Sequence, residues 1–173
     1  MSKDSGLLQF LQGGGEMGAL IRSKDWSATP LGPSETWPQS LKTTLGIILN
    51  SRYPMFVFWG PQLIKIYNDG YKPILGGKHP WALGQPAREV WPEIWPAIEP
   101  LVDRALSGDP TWSDDLLLFM ERNGFPEEVY FTFSYSPVPD ESGGIGGMFC
   151  ACTETTNEVL GERRLRTLRD LAA

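Results

Sequence analysis

Histidine and cysteine are nearly absent from this chain: His79, Cys150 and Cys152 are the only ones in 173 residues. With no CxxC, HExxH or HxH spacing, the chain has no metal-ligating set of its own, and none is expected. The two cysteines sit two apart in a strand-like run. Their side chains therefore share a face and are poorly placed to bridge each other, so the expectation is a reduced, cytoplasmic protein. Long apolar runs are missing too, since none approaches the ~18 residues that span a bilayer. The N-terminal MSKDSGLLQFLQGGGE, with one lysine and a short, broken apolar stretch, does not read as a signal peptide. Basic excess is the third absence. Lys and Arg total 15 against 21 Asp and Glu, a net charge of −6, which argues against a nucleic-acid binder or a polybasic membrane binder.

Catalytic constellations are also lacking. Asp114-Asp115 and Glu127-Glu128 are plentiful carboxylates, but no spacing assembles a base, a nucleophile and an orienting group. The glycine-rich Gly143–Gly147 (GGIGG) enters a strand rather than a helix and lacks GK[ST], so it is no P-loop. No catalytic residue is assigned.

What is present is a globular composition with abundant large rings: 41% hydrophobic, 12% aromatic and seven tryptophans. Such a chain can bury a substantial core. The 19 glycines and 15 prolines predict many turns and short elements. Residues 1–50 read as an N-terminal extension and flanking helix. Leu7–Leu11 suggests a short amphipathic turn, Met17, Leu20 and Ile21 a second apolar face, and Leu41, Leu45, Ile48 and Leu49 a helix over about Thr36–Asn50. The extension serves either as a cap on the domain or as a dimerising helix. Met55–Trp59 and Leu63–Tyr67 predict a hairpin turned by Gly60-Pro61. Asn68 then caps a short helix that ends at Gly76-Gly77. A proline- and tryptophan-rich stretch leads to a helix over about Ile94–Leu106. Three strands follow, over Thr111–Met120, Glu127–Val138 and Gly143–Thr153, separated by the turn chemistry of Asn123-Gly124 and Asp140–Gly143. Thr155–Ala173 closes as a polar helix with Leu165, Leu168 and Ala172 at coiled-coil spacing. Five antiparallel strands with helices inserted between the second and third make an α+β sheet-and-helix sandwich.

That order, with Tyr67-Asn68-Asp69-Gly70-Tyr71 after the hairpin, Asn123-Gly124 after the third strand, Ser136-Pro137-Val138 before Asp140–Gly147, and Cys152-Thr153-Glu154-Thr155-Thr156 at the close, resembles the PAS domain family. The closing motif departs modestly from the family's D-I-T pattern. The stretches DWSATPLGP, WPQSL, YNDGY, KHPWALG and TETT further resemble a subfamily found near the N-terminus of bacterial multidomain (hybrid) sensor histidine kinases. The resemblance implies a PAS core over 51–155 with helices on one face of a five-stranded sheet, and a truncated C-terminal signalling or linker helix over 156–173. It also implies, as partners, a second copy and the downstream domains of the same polypeptide. Phosphoacceptor and nucleotide-binding motifs of a kinase are absent from this chain, so kinase catalysis would lie elsewhere.

The PAS fold implies a cavity between sheet and helices. Alternation puts Val129, Phe131, Phe133 and Tyr135 on one face of the fourth strand, and the PAS register turns Met148, Cys150 and Cys152 inward on the fifth. Pocket candidates are Phe56, Phe58, Tyr67, Tyr71, Trp81, Trp95, Phe131, Phe133, Tyr135, Met148, Cys150 and Cys152. They either fill the core or line a site for a small apolar ligand. The Trp91–Pro96 cluster is either a partner surface or a roof over the core. His79 is either a haem ligand or an ordinary loop histidine. Covalent flavin photochemistry of the LOV type needs a cysteine on the helical side, and none precedes Cys150, so it is excluded; non-covalent flavin stays open. The expected function is sensory input or protein interaction in a signal-transduction protein, acting through the C-terminal helix. The alternatives are a ligand-free dimerisation module and a haem or flavin redox sensor.

Overall fold

The computed structural model describes residues 12–173; the short amphipathic turn expected at Leu7–Leu11 lies outside the described residues. Two N-terminal helices, α1 (Gly15–Ser23) and α2 (Gln39–Leu49), precede a hairpin of β1 (Met55–Trp59) and β2 (Ile64–Tyr67). Three helices follow, α3 (Lys72–Leu75), α4 (Ala87–Val90) and α5 (Trp95–Leu106). Then come β3 (Thr111–Met120), β4 (Glu127–Pro139), β5 (Ile145–Glu154) and α6 (Thr156–Ala172). The five strands form one antiparallel sheet in the order β2-β1-β5-β4-β3. The chain thus closes the sheet by inserting its last strand between the first and fourth.

The two halves of the sheet are buried differently. Val57 pairs with Ile66, and both point away from Phe56 and Tyr67 because side chains alternate along a strand. All four are buried, since α2 packs on β1 and β2 from one side while the helical layer covers the other. That is why MFVFW and IKIY read as continuous runs rather than alternating ones. On β4 the alternation holds from Phe131 onward: Val129, Phe131, Phe133 and Tyr135 are buried and Thr132, Ser134 and Ser136 are half-exposed, while Tyr130 between Val129 and Phe131 is buried as well. On β5, Met148, Cys150 and Cys152 are buried, as the inward register requires.

Gly146 and Gly147 of GGIGG serve close strand packing. A Cβ at Gly147 would stand 2.3 Å from the Phe58 carbonyl oxygen and 2.7 Å from the Trp59 ring. Only glycine lets β5 approach β1 there.

The Trp91–Ile94–Trp95 segment roofs the core: all three side chains are buried. Lys78 pins this segment, donating to the Val90 carbonyl at 2.5 Å and to Glu93 at 2.9 Å with its ammonium over the Trp91 ring.

Candidate functional site

Asn68 sets the geometry at the end of β2. Its buried amide donates to the carbonyls of Ile48 (2.9 Å), Ser51 (3.1 Å) and Tyr53 (2.8 Å), while its Oδ1 accepts from the Met55 and Tyr71 amides, both at 3.1 Å. One side chain therefore ties the end of α2, the start of β1 and the turn that carries Tyr71 inward. The short 3-10 turn Asp69–Tyr71 leads directly into α3, which Gly76 ends with a positive φ of 54°.

Beneath this turn lies a cavity of about 40 Å³ between sheet and helices. Eight of the sequence-nominated residues line it: Phe56, Phe58, Tyr71, Phe131, Phe133, Tyr135, Cys150 and Cys152. Six others were not nominated: Ile74, Trp91, Ile94 and Ile98 from the helical layer, and Leu118 and Met120 from β3. Every one of these side chains is buried. A water needs roughly 10–15 Å³ of such space, so the cavity holds a few atoms.

Four nominated residues do not line it. Tyr67 sits on the edge strand and turns its hydroxyl to His79 Nδ1 at 2.8 Å. Met148 is wholly buried farther along β5, opposite Phe58 and Pro137. Trp95 starts α5 with Arg88 stacked over its ring, and among the described residues its indole N–H has no partner. Trp81 follows the cis His79–Pro80 bond and is 52% exposed.

His79 does not face the cavity. Its Nε2 lies 3.3 Å from a Glu16 carboxylate oxygen, which can only accept, so Nε2 carries the proton. In that tautomer of the neutral ring, Nδ1 accepts from the Tyr67 hydroxyl. Burial pushes the Tyr67 phenol up, which suits a donor. Glu16 also pairs with Lys72, and Asp69 accepts from the Glu16 and Met17 amides at the start of α1 (3.1 and 2.8 Å). Together these contacts latch α1 onto the turn after β2.

The residue that sequence reasoning passed over is Lys65. It stands opposite Phe58 on the inner face of β2 and is wholly buried. Its Nζ donates to the Tyr71 hydroxyl at 3.1 Å and lies 3.5, 4.4 and 4.7 Å from the ring centres of Phe56, Tyr71 and Phe58. Among the described residues no carboxylate forms a salt bridge with it. Burial lowers its pKa to about 7, against a smaller opposing pull from the Cys150 and Cys152 sulfurs. The same burial raises the Tyr71 and Tyr135 phenols and the Cys150 thiol well above their ordinary values, so these groups stay neutral and Cys150 is no thiolate nucleophile. The one signal available in the sequence was a lysine amid IKIY, which alternation alone assigns to either face. Among the described residues no group of His, Cys, Asp and Glu could hold a metal ion, and no helix is long and apolar enough to cross a membrane.

An antiparallel sheet in this strand order, a helical layer inserted after the first hairpin and a small apolar cavity between them define an α+β sheet-and-helix module. Residues 55–160 match the family model described as PAS fold, and the chain belongs to that family. Among solved structures, an RNA-binding Light-Oxygen-Voltage receptor is similar over 84% of this chain at 16% identity and TM-score 0.52, and this chain spans only 40% of its length. The PAS domain of BvgS from Bordetella pertussis is similar over 76% of this chain and 98% of its own, at 19% identity and TM-score 0.51. A phage VqmA–DPO complex is similar over 77% of this chain and 60% of its own, at 14% identity and TM-score 0.51. At these identities the likeness is one of fold. No curated protein matches the chain.

Proposed function

We propose that this chain is the input module of a bacterial signal-transduction protein, a sensor histidine kinase, in which a small ligand in the core cavity biases the arrangement of the C-terminal helix. The observation that carries the reading is the cavity itself, lined by buried side chains, with a buried lysine packed against the Phe56, Phe58 and Tyr71 rings of its wall. A core built for packing alone gains nothing from a desolvated amine.

The route to output is short. Cys152 lines the cavity, and Glu154, two residues on, binds Arg122 at 2.7 Å. Thr155 and Thr156 then join α6 to β4 through Tyr130, at 2.7 and 3.1 Å. A ligand shifts such an element only by its differential affinity for two states. None of the side chains of α6 is buried, and Leu165, Leu168 and Leu171 are exposed along it. These leucines, with Trp112 and Phe119 bare on β3, favour a homodimer continued by downstream domains. The kinase context rests on the flanking motifs that resemble the histidine-kinase subfamily, and kinase catalysis would belong to other segments. The two unpaired thiols suit a reducing cytoplasm, and the net charge of −6 disfavours nucleic-acid or membrane partners.

Haem and flavin sensing fit the residues poorly. The cavity of about 40 Å³ is far below the ~300 Å³ at which larger ligand sites begin. Both cysteines lie on β5 rather than the helical side, and both His79 nitrogens are engaged.

The test is gentle purification followed by a visible spectrum, solvent extraction and mass spectrometry, with a titration of fragment-sized neutral ligands observed by methyl NMR. One recurrent small metabolite, or saturable shifts at Ile74, Ile98 and Leu118, is expected. A colourless, empty core that no fragment perturbs overturns the ligand reading in favour of a ligand-free dimerisation module.

A further inference from the structure

Four of the five tyrosine hydroxyls in the chain have partners. Tyr53 pairs with the Thr153 hydroxyl, Tyr67 with His79, Tyr71 with Lys65 and Trp91, and Tyr130 with Glu128 and Arg163. Tyr135 alone has no hydrogen bond among the described residues, although only 4% of it is exposed. A buried hydroxyl left unpaired costs free energy, and a phenylalanine would fill the same ring space without that cost.

The surroundings of this hydroxyl are those of the cavity. Phe56, Cys150 and Tyr135 pair side by side across β1, β5 and β4, and all three are cavity walls. The Phe56 and Tyr135 ring centres stand 6.5 Å apart on either side of the short Cys150 side chain. Cys152, on the same face of β5, is equally short. Cysteine is the smallest residue type in the lining, so room is left in the middle of the sheet. Two other unpartnered atoms, Thr111 Oγ1 and Trp95 Nε1, are sealed off among the described residues and belong to side chains outside the lining. Burial first, and then the Cys150 and Cys152 sulfurs, raise the Tyr135 phenol well above its ordinary pKa. It therefore keeps its proton and can donate it.

We infer that Tyr135 is the polar anchor of the cavity, and that the ligand is a small neutral ketone or alcohol whose oxygen accepts the Tyr135 proton. The inference rests on the reading that the cavity admits a ligand. The volume sets the size: about 40 Å³, at roughly 10–15 Å³ per water-sized atom, holds about three or four non-hydrogen atoms. The walls set the charge. No charged side chain lines the void, so an ion there would lose its hydration with nothing to replace it. The hydrogen-bond balance sets the polar contact. The Tyr71 oxygen already meets Lys65 Nζ at 3.1 Å and Trp91 Nε1 at 3.3 Å, which leaves Tyr135 as the wall with a hydroxyl to offer. The apolar body of the ligand then rests against the surrounding rings and aliphatic side chains.

The full chain is titrated with acetone and, separately, with isobutene, which has the shape of acetone but no oxygen, and both are followed at the Ile74, Ile98 and Leu118 methyls. Acetone should give saturable shifts. Tyr135→Phe should weaken acetone about three- to tenfold, the range set by one neutral hydrogen bond, and leave isobutene within about twofold. The ligand-free variant should unfold in urea no more easily than the native chain, because it loses no bond within the protein. A destabilised variant would show that the protein itself uses the hydroxyl, and overturns the inference. Equal weakening of both ligands, or of neither, overturns the anchor. Isobutene binding without acetone binding overturns the preference for an oxygen and leaves the ligand cavity standing. No shifts from either overturn both the inference and the reading beneath it.

Discussion

Lys65 Nζ and the Tyr71 hydroxyl meet at 3.1 Å inside a core where, among the described residues, Lys65 is the only buried side chain of the Asp, Glu, Lys, Arg and His types. Three aromatic rings and a phenol oxygen stand in for water around the amine. They solvate it incompletely, which is why its pKa falls.

That depression makes stability depend on pH in a defined direction. The folded-state pKa is about 7 against 10.5 for an ordinary lysine, so between these values the unfolded chain binds more protons and stability rises with pH. The gain approaches about 1.4 kcal/mol per pH unit. Below pH 7 the cost of the buried charge is fully present, and above 10.5 it is gone. Lys65→Met removes this slope. Denaturant unfolding from pH 6.5 to 9.5 should show the variant more stable than the native chain at the acid end, with the difference shrinking as pH rises. Comparing the two proteins cancels the opposing titrations of Cys150, Tyr67, Tyr71 and Tyr135.

Asn68→Ala should be among the most damaging single changes. It strands three carbonyls and two amides in a largely buried junction, and each unsatisfied group costs about 1–3 kcal/mol. With partial rehydration, a loss of about 3–5 kcal/mol is expected in urea unfolding. Asn68→Asp should not rescue it, because a carboxylate cannot donate to the Ile48, Ser51 and Tyr53 carbonyls.

Arg122 ties α3 to the end of β5, from which α6 leaves. It binds Glu127 at 3.2 Å, Glu154 at 2.7 Å and the Ile74 carbonyl at 3.2 Å. Arg122→Ala should cost about 1–3 kcal/mol, in the range for breaking a partly buried charged hydrogen-bond set. It should also speed amide hydrogen exchange between Glu154 and Val159 more than in β4. Equal acceleration everywhere would mean that Arg122 contributes to global stability and not to holding α6.

The proposed homodimer is tested at the leucines of α6. Leu165→Glu with Leu168→Glu replaces two exposed apolar side chains (56% and 62% accessible) and should leave thermal unfolding within about 0.5 kcal/mol of the native value, as surface changes do. Sedimentation should shift from the proposed dimer to monomer. An unchanged sedimentation coefficient would exclude α6 from the dimer contact.

Much of the fold was legible because its signals are short-range. The period-2 pattern of Val129–Tyr135 named the buried face of β4. The Asn68 and Gly76 chemistry marked the turn and the end of α3. Asn123-Gly124 and Asp140–Gly143 marked the hairpin turns. Each of these depends on a residue and its next few neighbours. Legibility ended where packing between distant segments decides. Trp81 and Trp95 look alike in sequence to the cavity-lining Trp91, yet one is exposed and the other lies against Arg88. Ile98 and Leu118 look like any core residues until α5 lies across β3.

By itself, then, the sequence determined the element order and the inward face of β4, because alternation, capping and turn preferences act over a few residues, while the family and the inward face of β5 came from the resemblance of its motifs. Only the tertiary structure decided that Lys65 is buried. Edge strand β2 is covered when the chain from His79 to Ala87 returns alongside it, with Gly84 and Ala87 donating to the Lys65 and Leu63 carbonyls. That return closes the inner face of the sheet over a charged side chain. The same long-range closure brings Tyr71, Phe56 and the β5 thiols around one small void, an arrangement that no local pattern encodes.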